Sequence, residues 1–301
     1  MGVYLEKTKE PLEIPKAFDA VIGAEGFEAL RFMDDAVYDD EAKGYNTYKL
    51  VTKNGVFVLK KSADEESFSD EVKHYGLLKG LPVPKLLGAA EGFLLMGFVE
   101  GNDLKRPDDN GVKAAAESLA AIMNAYPMGR EYERGRYEVY LKRLERRAAV
   151  LVDEPELAAA FRVFFERQKE IPLTLSNGDL LPINVLYDGK KATLIDWGFG
   201  GFLPYALDIA RFTAHSTGSG EVTSFRMSDA QKKLFSQLVY EGLSVKPAKA
   251  VYERDLLLAR FNECVEILEY YLNDPEAVRD RVFEHYYPMA KMLANEITAN
   301  Q

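Results

Sequence analysis

The sequence predicts a two-lobed α+β fold, in which a strand-rich first part is followed by a mainly helical second part. Over about the first hundred residues, apolar and polar residues tend to alternate, whereas helical periodicity dominates after Gly101. One short connection, at Val99–Asn102, separates the two parts. Strands first and helices second is the order typical of an α+β chain. The predicted lobes are residues 1–98, a small antiparallel sheet, and residues 99–301, a larger helical lobe.

The first lobe contains the predicted strands. They cover residues 29–37, 45–52, 56–61, 85–90 and 92–99. Asn54-Gly55, between the second and third of them, is the strongest short signal for a hairpin turn. A helix is predicted from about Asp64 to Lys79, and the prolines at 82 and 84 favour an extended segment after it.

The second lobe is predicted to be helical around one short β-rich insert. The insert runs from Leu173 to Trp197 and has an Asp188-Gly189 turn between two apolar strands. The predicted helices cover about residues 111–126, 132–151, 156–169, 228–241, 248–272 and 275–295.

Composition excludes several classes of function. A formal net charge of -10 disfavours a nucleic-acid-binding protein and is compatible with a cationic or neutral substrate. Because Cys264 is the single cysteine, an intrachain disulfide is excluded. It is predicted to be a packing residue on a helix rather than a nucleophile. The three histidines lie far apart, without metal-ligand spacing. No apolar run approaches the roughly 20 residues of a membrane span, and the start lacks a secretory signal, so a cytoplasmic protein is expected.

The most informative polar residues lie in the β-rich insert. Asp179 and Asn184 are five residues apart on a proline-containing loop, and Asp196 ends the next apolar strand. Phosphoryl transfer needs a carboxylate that orients the attacking hydroxyl and oxygen ligands that hold Mg²⁺ against the phosphates. Mg²⁺ takes few protein ligands, and a carboxylate with an amide oxygen is a suitable pair. Because the Asp188-Gly189 hairpin reverses the chain, all three side chains can converge.

These motifs resemble those of the aminoglycoside phosphotransferase and choline kinase family, which are protein-kinase-like small-molecule kinases. The segment is similar to the family's H-G-D-x-x-x-x-N and I-D-[WF] motifs, and Asp208 stands in a segment similar to its P-x-x-D-L-A. The resemblance implies a protein-kinase-like fold, with Asp179 as catalytic base, Asn184 and Asp196 as Mg²⁺ ligands, and Asp208 as support for the catalytic loop. Asn177 stands where the family usually has histidine, and activity is expected to survive this change.

The first lobe contains candidates for binding ATP or GTP. Alternation along the strand at 56–61 places Val58 and Lys60 on one face, in the register of the V-A-I-K pattern of protein kinases. Glu71 resembles the glutamate with which the family holds this lysine. Lys61 faces the opposite side and is expected to be a solvated charge.

Two further segments of the first lobe resemble nucleotide-binding elements of the family. The stretch around Asn46 is similar to the family's phosphate-covering loop, although an ordinary turn entering a strand fits it equally well. The segment with Met96 and Phe98 resembles the hinge whose backbone groups bind the base, and both side chains could equally belong to the core.

The acceptor is left open between aminoglycosides, choline-like amino alcohols and sugars. An acidic row, Glu263, Glu266 and Glu269, can share one helix face. The resemblance implies that such carboxylates bind ammonium groups, whereas a solvated helix face is the commoner explanation of such a row.

The sequence also allows two alternatives to a small-molecule kinase, and its residues disfavour both. A protein kinase is disfavoured because Gly178 replaces the arginine of H-R-D and no A-P-E follows. A nucleotide-binding or scaffold homologue with little or no turnover would fit Asn177 and the glycine-poor loop. The chain has all four of the residues on which turnover would depend, and this argues against that homologue. They are Lys60, Asp179, Asn184 and Asp196.

Overall fold

The structure is a computed structural model that describes residues 3–8, 12–23, 26–34, 43–219, 222–274 and 276–299. Its elements fall into two units, Met1–Gly101 and Asn102–Gln301. Antiparallel strands in the first unit and predominantly helices in the second confirm the predicted α+β class.

Six antiparallel strands form the sheet of the first unit. They are β1 (Val3–Lys7), β2 (Glu28–Asp34), β3 (Lys43–Thr52), β4 (Gly55–Lys61), β5 (Leu86–Ala90) and β6 (Phe93–Gly97), in the order β1-β2-β3-β4-β6-β5 across the sheet. Thr52 pairs with Gly55, as the predicted Asn54-Gly55 turn requires. The end of the strand predicted at 29–37 lies outside the described residues, and β1 is a strand that the alternation did not reveal.

The two faces of this sheet have different surroundings. On one face Leu59 and Leu95 are opposite each other and pack in a buried cluster with Phe18, which belongs to a 3-10 turn that leads into helix α1 (Asp19–Ile22). Lys60 follows Leu59, so its side chain leaves the opposite face of the sheet. The apolar pattern of β4 thus decides which face the lysine occupies.

Helix α2 (Glu65–Leu77) follows β4 and begins where the sequence predicts. Asp64 is its N-cap, because Oδ1 accepts a 2.7 Å hydrogen bond from the backbone N–H of Ser67. The helix buries Glu71, His74 and Tyr75. This cap therefore helps to place Glu71 on the buried face.

Seven helices and five short strands make up the described part of the second unit. The helices are α3 (Asp109–Ala125), α4 (Gly135–Val150), α5 (Pro155–Gln168), α6 (Ala206–Ala214), α7 (Asp229–Gly242), α8 (Lys249–Asn273) and α9 (Arg281–Ala299). The strands are β7 (Asn102–Asp103), β8 (Leu173–Ser176), β9 (Val185–Tyr187), β10 (Ala192–Leu194) and β11 (Gly201–Pro204).

The short strands hold the loops that carry the polar residues. β9 and β10 are antiparallel, and Asp188 stabilises their turn by accepting hydrogen bonds from the N–H groups of Lys190 and Lys191. β8 pairs with β11, so that Ser176 lies opposite Gly201. The two ends of the segment between Ser176 and Gly201 therefore lie side by side.

Helix α6 is the main element that sequence periodicity did not predict. Seven of its residues are buried, among them Leu207, Ile209 and Phe212. The helix is only 9 residues long, which is shorter than the windows of roughly 11–18 residues over which helical periodicity is recognised. The last helix also begins later than predicted, at Arg281 rather than near residue 275.

Cys264 is buried on α8, as predicted for a packing residue. Burial raises the pKa of its thiol to about 12, so the nucleophilic thiolate is scarce at neutral pH. Within the described residues, no helix combines the length and the apolar character needed to cross a bilayer.

Candidate active site

The loop after β8 is held in place by the buried carboxylate of Asp208 on α6. Asp208 accepts hydrogen bonds from the backbone N–H of Asn177 (2.7 Å) and of Gly178 (3.0 Å). Burial raises the pKa of Asp208 to about 6, and these N–H donors oppose the rise. At neutral pH the carboxylate is ionised and binds both donors, which makes it a support for the loop.

Asn177 connects this loop to the segment that carries Asp196. Its Nδ2 donates to the backbone oxygens of Ile195 (3.1 Å) and Asp196 (2.9 Å), and its Oδ1 accepts from the N–H of Asp179 (3.2 Å). Asn177 is fully buried, so these bonds replace the contacts with water that its amide loses on folding. An amide at this position thus ties together the two segments that the sequence singled out.

Both the backbone conformation and the close packing at position 178 require a glycine. Its φ of +77° lies in the left-handed region, and a Cβ built there would meet the backbone oxygen of Phe199 at 2.2 Å. An arginine, the residue of the protein-kinase motif, does not fit without moving one of the two segments.

The carboxylate of Asp179 is anchored by Arg211, which lies on α6. Nε and Nη2 of Arg211 donate to Oδ1 of Asp179 at 3.0 and 2.8 Å. Burial raises the pKa of Asp179, and the negative charge of Asp196 adds to the rise, while Arg211 opposes it. Since both bonds use Oδ1, the orientation of the carboxylate is set and Oδ2 is the oxygen that can accept from a ligand hydroxyl.

Asn184 and Asp196 have the properties of ligands for Mg²⁺. Nδ2 of Asn184 donates to the backbone oxygen of Asp179 at 2.7 Å, so the amide is oriented and its Oδ1 is the atom left to bind a cation. Asp196 is exposed and has a φ of +57°, which is rare for a residue other than glycine. Such strain often marks functional sites.

The donor set suits a metal that shares its coordination with a ligand. No group of three His, Cys, Asp or Glu side chains that could hold a metal occurs in the described part of the chain. One carboxylate and one amide oxygen agree with Mg²⁺, which keeps waters and substrate phosphates in its coordination sphere. The residues present therefore fit Mg²⁺ and do not fit a closed, all-protein metal site.

The acidic row on α8 is paired with two arginines. Oε2 of Glu263 accepts from Nη1 of Arg211 at 2.8 Å and lies 2.9 Å from Nε2 of His215. Burial alone would raise the pKa of Glu263, but Arg211 and His215 outweigh it and hold this pKa below its usual range. Glu263 is 1% exposed, so the row is not the solvated helix face that was expected as the commoner explanation.

The other two members of the row share a second arginine. Glu266 accepts from Arg211 through Oε1 (3.0 Å) and from Arg147 through Oε2 (2.9 Å). Arg147 also donates to Glu269 at 2.9 Å and is almost completely buried. A connected set of charges thus runs from Asp179 through Arg211 and Glu266 to Arg147. We call these residues, with Glu263, Glu269 and His215, the arginine–carboxylate network.

In the first unit, Lys60 is paired with Glu71. Nζ of Lys60 lies 2.7 Å from Oε1 of Glu71, and the carboxylate is nearly buried. Val58 shares the face of Lys60, and it lies opposite Met96 of β6. The contacts agree with the arrangement that the resemblance implied, and the roles of these residues in nucleotide binding stay predictions.

The remaining candidates of the first unit occupy less distinctive positions. Asn46 is exposed within β3, so the segment is a strand rather than a turn. Phe98 follows β6, and the ammonium group of Lys49 lies over its ring, 4.4 Å from the centroid. Neither observation assigns a phosphate or base contact.

The sequence did not predict the cations of the network. Arg211 and His215 come from the end of α6 and Arg147 comes from α4, and their carboxylate partners are 32 to 122 residues away in sequence. One local spacing could have indicated Arg211. It follows Asp208 by three residues, and on a helix this spacing places both side chains on the same side.

A family model describes this architecture. The model of the phosphotransferase enzyme family (APH) matches residues 42–238, which is more than half of the 301 residues. The chain therefore belongs to the phosphotransferase enzyme family. No protein of curated function matches the sequence.

Solved structures with this fold include several small-molecule kinases. Ethanolamine kinase from Plasmodium vivax is 14% identical, with a TM-score of 0.57 over 92% of this chain and 83% of that chain. Choline kinase LicA from Streptococcus pneumoniae is 15% identical, with a TM-score of 0.56 over 83% and 90%. The streptomycin–ATP–APH(2'')-IIa ternary complex is 11% identical, with a TM-score of 0.56 over 91% and 99%. At these identities the likeness shows the protein-kinase-like fold.

Proposed function

We propose that this protein transfers the γ-phosphoryl group of ATP or GTP to a hydroxyl of a small molecule, with Asp179 as the catalytic base. The observation that carries the proposal is the fixed orientation of Asp179, whose Oδ1 is held twice by Arg211. A base must lie within hydrogen-bond reach of the hydroxyl before its pKa matters. With Oδ1 engaged, Oδ2 receives the hydroxyl hydrogen.

Other candidate residues would supply the remaining parts of a phosphoryl-transfer site. Asn184 and Asp196 would hold Mg²⁺, which neutralises charge on the phosphates when bound. Lys60, positioned by Glu71, would bind the phosphates of the nucleotide in the first unit. ATP in the ternary complex named above supports nucleotide use by this fold.

The test is a comparison of Asp179→Asn with wild type. Asparagine keeps the size of the side chain but cannot accept a proton, so ATP consumption in the presence of Mg²⁺ should fall by about 10²–10⁴-fold. Affinity for the nucleotide should stay within about threefold, because Asp179 is assigned to the acceptor. A coupled ATP-consumption assay with a panel of hydroxyl acceptors measures the rate, and calorimetry measures the affinity.

Asp153→Asn is the matched control, since Asp153 is exposed on the turn after α4. Its rate should equal that of wild type. Equal rates for Asp179→Asn and wild type would remove Asp179 from the base role. Nucleotide binding without consumption by wild type would favour the non-catalytic binding homologue instead.

A further inference from the structure

The wall of the cavity beside Asp179 is basic and apolar on the side of α4. Arg136, Val139, Tyr140 and Arg143 of this helix line the cavity. Their spacing of three, one and three residues places them on one face over two turns. The face therefore begins and ends with an arginine and has an apolar centre.

Arg143 is the charge that this wall offers to a ligand. It is exposed, and no carboxylate of the described residues forms an ion pair with it. Arg136 is held in place by the backbone oxygens of Gly198 (2.8 Å) and Gly200 (3.2 Å). Those carbonyls orient the guanidinium.

The glutamates that line the cavity are less available to a ligand than Arg143. Glu263 and Glu266 also line it, yet Glu263 is 1% exposed and both oxygens of Glu266 are bonded to arginines. Oε1 of Glu263 is buried without a partner, which suits one small hydrogen-bond donor rather than a multiply charged cation. An ammonium group that approached Glu266 would compete with Arg211 and Arg147 for its negative charge.

Two exposed apolar side chains border the same cavity. Val139 is 48% exposed and Phe199 is 54% exposed, and Phe199 lies three residues after Asp196. Large apolar side chains that remain exposed beside a cavity can pack against a ligand. They would contact the apolar part of an acceptor whose hydroxyl is at Asp179.

We propose that the acceptor is an amphiphilic hydroxyl compound that has an apolar part against Phe199 and Val139 and a carboxylate or phosphate group bound by Arg143. This assignment rests on the proposed function, since it names the acceptor class of the same site. It differs from the amine-rich acceptors that the acidic row had suggested. Arginine suits the group because its planar guanidinium binds both oxygens of a carboxylate or phosphate.

The test uses aromatic fragments on the full-length protein without nucleotide. Phenylacetate, phenyl phosphate, phenylacetamide and 2-phenylethylamine share the ring and differ in charge. Calorimetry or ligand-observed NMR should show that one or both anions bind at least tenfold more tightly than the amide or the amine. Comparing phenylacetate with phenyl phosphate decides which anion the site takes.

Variants place the binding at α4. Arg143→Gln should weaken the preferred anion about tenfold, and Phe199→Ala should weaken the anion and the amide by a similar factor. Arg146→Gln is the matched control, because Arg146 is exposed on α4 and does not line the cavity. It should leave every affinity unchanged.

Three results would overturn the proposal. They are tighter binding of the amine than of the anions, equal binding of anion and amide, and an absence of anion binding at concentrations up to about 50 mM. These outcomes leave the proposed function untouched, because they are measured without nucleotide. Conversely, a failure to consume ATP would leave the measured anion preference in place.

Discussion

The two units carry buried charge in different ways. In the first unit one lysine meets one glutamate, and only 11 residues separate Lys60 from Glu71 in sequence. In the second unit Arg211 alone contacts three carboxylates, which are 32 to 55 residues away. The pair in the first unit joins two neighbouring elements of the chain, whereas the network joins three helices, α4, α6 and α8, that are far apart in sequence. The network suits holding a base in one orientation.

The largest effect is expected from Arg211→Met. It removes the partner of the buried Glu263 and frees Asp179, so the free energy of unfolding should fall by about 3–5 kcal/mol. Chemical denaturation followed by circular dichroism measures the change. Arg162→Met is the matched control, since Arg162 is exposed on α5, and it should alter the free energy by less than about 0.5 kcal/mol. Equal losses in both variants would mean that the network does not stabilise the second unit.

Local spacing explains which parts of the molecule could be predicted. The alternation of β3 and β4 and their Asn54-Gly55 turn are patterns within about a dozen residues, and such patterns can be recognised in a sequence. The Lys60–Glu71 pair and the roles in the loop of Asp179 were instead implied by the resemblance to a family. The sequence also placed Glu263, Glu266 and Glu269 on one helix face, and the structure agrees, since all three meet arginines.

What the sequence could not supply was the set of arginine partners. The partners of the acidic row come from α4 and α6, and no local pattern joins elements that are more than 50 residues apart. Helix α6 was missed as well, because its 9 residues are fewer than the roughly 11–18 over which helical periodicity is recognised. The prediction of an ammonium site on α8 therefore lacked the cations that decide the charge of the cavity.

A smaller effect is expected from Glu263→Gln, and it depends on pH. The pKa of Glu263 lies below its usual 4.5 in the folded protein, so its charge stabilises the fold above about pH 4.5 and this contribution is lost as the pH falls further. At pH 7 the variant should lose about 1–3 kcal/mol of unfolding free energy. Its stability should also change less steeply below pH 4.5 than that of wild type.

Urea unfolding between pH 3 and pH 7 measures both quantities for Glu263→Gln. The exposed Glu145 on α4 supplies the control, and Glu145→Gln should keep the acid slope of wild type. A wild-type slope in Glu263→Gln would place the acid-sensitive group elsewhere.

The smallest effect is expected from Lys60→Met, and it should appear in binding rather than in folding. The variant loses one ion pair and the proposed phosphate contact, so the Kd for nucleotide should rise about tenfold, which corresponds to about 1.4 kcal/mol. The loss of unfolding free energy should be smaller than for Arg211→Met, which removes hydrogen bonds to three carboxylates at once. Lys61→Met is the control on the opposite face of β4, and its Kd should stay at the wild-type value.

The most direct test is a titration of MgATP into wild type, Lys60→Met and Asp179→Asn under identical conditions. The account predicts binding by wild type, about tenfold weaker binding by Lys60→Met and nearly unchanged binding by Asp179→Asn. Absence of MgATP binding by wild type at millimolar concentration would contradict the assignment of a phosphotransferase site. Equal weakening in both variants would contradict the division of roles between the two units.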